Sequence, residues 1–74
     1  MKATEAIRDI LKKNDMKIST LAKMIGQDRR VIDRRIRQSN ITVDKLNEMA
    51  KQVQYKIVLM PMDKRIPENS YEVE

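Results

Sequence analysis

ISTLAKMIGQDRRVIDRRI, residues 18–36, carries two helical patterns, one on each side of a glycine. In the first, Ile18, Leu21, Ala22 and Ile25 fall at i, i+3, i+4 and i+7, which puts them on one face of an α-helix. The spacing predicts a helix over 17–25. Gly26, the only glycine in the chain, follows at once. Glycine enters the left-handed conformation that ends helices without a Cβ penalty. Asp28 then stands where an N-cap belongs, with Arg29 at the first helical position. This next helix has Ile32 and Ile36, four apart, on its buried side with Val31 beside them. Arg29, Arg30, Asp33, Arg34 and Arg37 take the rest of the circumference. Five arginines occupy positions 29–37 with Asp33 the only acid among them. Like charges three or four positions apart repel on a helix, so the counter-charge is expected from outside the chain.

Working outward, Ala6, Ile7, Ile10 and Leu11 form an apolar stripe that predicts a helix over 3–13, unless Thr4 caps a later start. Asn14 and Asp15 are turn residues, and Met16 is placed to pack over the start of the second helix. Beyond the break at Gln38, Ser39 and Asn40, Thr42 is a cap for a fourth helix carrying Val43, Leu46, Met49, Ala50 and Val53. The period then changes. Tyr55, Ile57 and Leu59 alternate with Lys56, Val58 and Met60, a strand signal over 55–60 closed by Pro61. Residues 62–74 are polar and read as a flexible tail. The expected fold is mainly α: a four-helix domain over 1–61 with one C-terminal β-strand.

At 74 residues this is one domain with a thin core. The chain has no cysteine and no histidine. That removes disulfides, thiolate metal sites, the commonest general base and the commonest metal ligand. No acids cluster as a catalytic constellation would require, so neither an enzyme nor a bound cofactor or metal is expected. No apolar run reaches membrane-spanning length, and the N-terminus has no signal-peptide core. A reducing, cytoplasmic setting is expected, with no membrane partner. The formal net charge is +5, distributed as 14 basic and 7 acidic residues over 1–61 against 2 basic and 4 acidic over 62–74. A basic body points to an anionic partner.

Two short helices joined by a tight glycine-containing turn describe a helix-turn-helix. Residues 18–36 resemble the helix-turn-helix of the phage lambda repressor and Cro family. The resemblance rests on Leu21, the small Ala22, Ile25, the turn glycine Gly26 and Ile32. The continuation TVDKLNEMAKQVQYKIVLMP resembles a variant of that family found in small phage, mobile-element and antitoxin-type regulators, in which the fourth helix runs into a tyrosine-containing strand and a proline. Together the two stretches cover roughly residues 5–61. The chain departs from the pattern at Gln27 and Arg35, usually aliphatic positions, at Lys17, usually a polar cap, and at Gln54, commonly glycine.

The resemblance implies double-stranded DNA as partner. Gln27, Arg29, Arg30, Asp33 and Arg34 would face the groove, with Arg29 and Arg30 the leading guanine readers, since arginine's planar fork matches guanine O6 and N7. Asp33 either accepts from a cytosine amino group or orients Arg29, Arg30 or Arg37 by ion pairing. Lys17 and the backbone amides of Ile18 and Ser19 would meet phosphate; Arg37, Asn40 and Lys45 would do so on the far side of the groove. A single strand has no partner in its own chain and marks an edge ready to pair. The same strand from a second copy, antiparallel across a twofold axis, would make a homodimer reading a palindrome; the alternative is that 55–60 packs back as an extended arm. The expected function is transcriptional regulation by repression. The alternative is an antitoxin or anti-repressor module that also binds DNA and uses residues 62–74 to hold a partner protein.

Overall fold

A computed structural model describes all residues 1–74. Four helices follow one another: α1 (Ala3–Lys13), α2 (Ile18–Ile25), α3 (Arg29–Arg37) and α4 (Val43–Gln52). α3 packs against α1 and α2, and α4 closes on the same two helices from another side. Ile7, Ile10, Leu11, Leu21, Ala22, Ile32, Ile36, Met49, Ala50 and Val53 form the core. Leu21, Ile32, Ile36 and Met49 are fully enclosed. Each such side chain contributes about 1.5–3 kcal/mol by leaving water, so α3 is fixed chiefly by its two isoleucines.

The helix ends follow the capping chemistry of their residues. The Asp28 carboxylate accepts from the Arg30 amide at 2.8 Å, and the Thr42 hydroxyl accepts from the Lys45 amide at 3.3 Å. Lys2, not Thr4, precedes α1, and the Lys2 amide donates to Glu5 at 2.9 Å. Lys17 is the cap of α2 rather than its first residue and offers no side-chain hydrogen bond.

Three helices stop by one device. At Gly26 (φ 83°) the Gln27 amide reaches back to the Ala22 carbonyl at 2.9 Å, and the Gly26 amide reaches Lys23. This is the Schellman closure, which needs one left-handed residue. Asp15 (φ 51°) ends α1 in the same way, with Met16 bonded to Leu11. Gln54 (φ 67°) ends α4, with Tyr55 bonded to Ala50 at 3.0 Å. The position where a glycine is common in the resembling family is therefore a position that needs one here, and glutamine fills it.

The strand expected over Tyr55, Lys56, Ile57, Val58, Leu59 and Met60 does not form in the chain. A ladder needs a second segment hydrogen-bonded beside the first, and no backbone hydrogen bond joins residues 56–60 to another segment. Residues 55–60 leave α4 as an arm without regular structure, on which Tyr55 packs against the core and Leu59 is wholly exposed. Residues 62–74 hold no helix or strand, yet they return to the body. The Tyr71 hydroxyl donates to the Asp9 carboxylate, Lys13 Nζ lies 5.0 Å from the centre of its ring, and the Tyr55 and Tyr71 rings stand 6.1 Å apart at 55°. Tyr55 in turn donates to the Asn69 carbonyl at 3.3 Å, and the Glu74 amide donates to the Met1 carbonyl at 3.0 Å.

Candidate nucleic-acid interface

The outer face of α3 is built by the burial of its inner face. With Ile32 and Ile36 turned into the core, a helix of 3.6 residues per turn must point Arg30, Arg34 and Arg37 away from it. These three stand at i, i+4 and i+7, a single stripe, and all are exposed. Arg29 joins them from the first turn, also exposed. The nine residues of α3 span about 13 Å, so four guanidinium groups are displayed along a helix two and a half turns long.

Two acids organise this face without neutralising it. Asp33, half-buried at the side of the helix, accepts from Arg37 Nε at 3.0 Å. Of the partners the sequence allows, Arg37 is the one it takes. Asp28 accepts from the Arg30 amide and also from Arg30 Nε at 3.4 Å. The Arg30 amide, then the Arg30 side chain and its charge, hold the Asp28 carboxyl below the usual carboxylate range. Arg29 and Arg34 make no ion pair. Gln27 is exposed in the turn ahead of Arg29.

Arg35 has a different position. Its side chain lies against α4, only 13% exposed, and its Nη1 bonds Glu48 Oε1. The stem of arginine covers apolar surface well while the head finds a partner. That lets Arg35 occupy a place usually aliphatic in the resembling family without displacing Ile36 from the core.

The residues expected at phosphate lie at helix starts and in loops. Lys17 is exposed ahead of α2, and the amides of Ile18 and Ser19 belong to the first turn, which has no intrahelical acceptor for them. The Ile18 side chain itself packs on the core. Asn40 is exposed in the loop after α3, and Lys45 is exposed on the first turn of α4.

Two side chains that position α3 escape a reading by charge and motif. The buried Thr4 hydroxyl donates to the Gln38 carbonyl at 2.9 Å, and Arg8 Nη2 reaches the Ile36 carbonyl at 3.5 Å. Both satisfy carbonyls at the C-terminal end of α3 that the helix itself leaves free. A signal for Thr4 exists in the sequence: it lies three before Ile7 and seven before Leu11, on the same stripe.

No family model, curated protein or solved structure matches this chain. No group of three or more potential metal ligands comes together, and no helix is long and apolar enough to cross a membrane.

Proposed function

We propose that this chain is a sequence-specific, double-stranded DNA-binding transcriptional regulator of the lambda repressor and Cro type, acting in the cytoplasm as a homodimer that represses by covering its operator. The observation that carries this reading is the exposed arginine face of α3, mounted on an apolar core and set directly after the tight turn from α2. An α-helix fits the major groove, and residues near its N-terminus reach base edges. Arg29, Arg30 and Arg34, with Gln27, are the base readers. Arg37, oriented by Asp33, serves phosphate. The Asp33–Arg37 ion pair favours a positioning role for Asp33 over direct reading of cytosine. Lys17, the amides of Ile18 and Ser19, Asn40 and Lys45 flank the groove at phosphate. No catalytic step and no cofactor is part of this function.

The dimer is formed by residues 55–60, paired antiparallel with the same segment of a second copy. Exposed Val58 and Leu59 on an unpaired arm support it. Two copies of α3 spaced about one DNA turn, roughly 34 Å, would read a palindrome.

The test is selection from random double-stranded DNA at stated salt. Enrichment of a palindrome with half-sites one turn apart is expected. Recovery of DNA with no shared sequence would refute the proposal.

A further inference from the structure

The tail carries more contacts than a polar end requires, and their location is informative. Tyr71 is held by Asp9 and Lys13 of α1 and by the ring of Tyr55. Below it, Ile7, Ile10, Ala50, Ile57 and Val73 line an apolar hollow of about 160 Å³. Tyr55 and Ile57 belong to the pairing arm as well. The dock for the tail is thus continuous with the surface on which a second copy would pair.

Resting on the strand-paired dimer proposed above, we infer that the tails are exchanged: Tyr71 of each copy docks on Asp9, Lys13 and Tyr55 of the other. The argument is one of polarity and path. Within one chain, the arm leads five residues on from Tyr55 to Met60. The tail must then turn back, through turns at Pro61–Lys64 and Pro67–Ser70 (amide to carbonyl 3.2 Å in each), to bring Tyr71 to Tyr55. In an antiparallel pair over the whole arm, Met60 of one copy lies opposite Tyr55 of the other, with strands only about 4.8 Å apart. The tail then begins beside the partner's dock and no longer has to retrace the arm.

Every contact of the docked tail is reproduced in exchange, because the dock is identical on each copy. This is the condition under which swapping an element is a low-cost route to a dimer. The dimer so formed gains two aromatic anchors and two Tyr–Asp hydrogen bonds that the arms alone do not supply. The kind of partner this surface fits is therefore a second copy of the chain, through its Asn69–Val73 segment.

The experiment uses the absence of native cysteine. Glu74 bonds Met1 in the docked tail, so Lys2→Cys and Glu74→Cys, both at exposed positions, report the dock without touching Tyr71, Asp9 or Lys13. The full chain with both substitutions is oxidised mildly at a concentration where sedimentation shows dimer, then run without reductant. Exchange predicts a doubling of apparent mass through interchain disulfides. It also predicts that mixing the two single variants crosslinks a Lys2→Cys chain to a Glu74→Cys chain in excess over either crosslinked homodimer. A closed monomer from a preparation that sediments as dimer would overturn exchange and leave the strand-paired dimer standing. Sedimentation as monomer at all concentrations would overturn both.

Discussion

Glutamine at position 54 is the clearest place where one substitution should improve this fold. Its φ of 67° is left-handed, and the closure of α4 depends on it, through Tyr55 to Ala50 at 3.0 Å and Gln54 to Lys51 at 3.3 Å. A residue with a Cβ pays about 1–2 kcal/mol in that region. Glycine removes the strain but loses about 0.5–1 kcal/mol through the freedom of its unfolded chain. Gln54→Gly should therefore stabilise by about 0.5–1 kcal/mol, or roughly 2–8 °C in a chain of this size. Gly26 supplies the opposite sign at an equivalent closure, with φ 83° and nothing within 4 Å of an added Cβ. Gly26→Ala meets strain of about 1–2 kcal/mol, offset by about 0.5–1 kcal/mol of restricted unfolded chain, and should destabilise by about 0.5–1 kcal/mol. Urea titration followed by far-ultraviolet circular dichroism, at one fixed protein concentration, reads both. A neutral Gly26→Ala, or a Gln54→Gly that unfolds more easily, would show that backbone strain does not govern these two turns.

Arg30→Ala should weaken operator binding by about 1–3 kcal/mol and relax preference at one base pair; an equal loss on operator and random DNA in fluorescence anisotropy would remove its base-reading role. Ile57→Asp puts a charge into the pairing arm, and sedimentation should then give monomers; a persistent dimer sinks strand pairing. Arg35→Leu should be neutral or stabilising, since an apolar residue suits the packed side of α3. Glu48→Ala should cost about 1–2 kcal/mol by leaving Arg35 unpartnered, and reversal of that order in thermal melts would mean the pair is not what holds Arg35. Tyr71 ionises above the ordinary tyrosine value of 10.0, chiefly because its hydroxyl is bonded to Asp9. A raised folded value means the tail's contribution is complete below pH 10 and is lost as pH rises through the folded value. Asp9 is lowered from 3.8, first by the same bond, so the contribution is also lost as pH falls below that value. Spectrophotometric titration of tyrosinate should show the late-ionising group in the native chain and its shift back toward 10 in Asp9→Asn.

The helices are legible in the sequence because their limits are written in local chemistry. Asp28 and Thr42 cap, Gly26 closes, and the isoleucines and leucines between them keep a 3.6-residue period. Arg35 is not legible, since its place depends on Glu48, thirteen positions away on another helix. The arm at 55–60 shows a strand's alternation, yet backbone pairing is a property of two segments, and the chain holds only one. The anchoring of Tyr71 leaves no trace in any local pattern: its partner Asp9 lies 62 positions earlier. The exposure of the arginine face, apart from Arg35, follows from sequence alone, because burial of Ile32 and Ile36 determines by rotation what their neighbours must do.

α1 has a grip on two things at once. Thr4 and Arg8 hold the last carbonyls of α3, while Asp9 and Lys13 hold Tyr71. Its eleven residues form a strut about 16 Å long between the arginine helix and the tail. Were a ligand to alter the seating of α3, α1 is the element through which the tail's dock would feel it, and thermodynamic linkage would make the effect mutual. By whatever factor a docked tail changes the affinity of α3 for its ligand, the ligand changes the affinity of the dock for the tail.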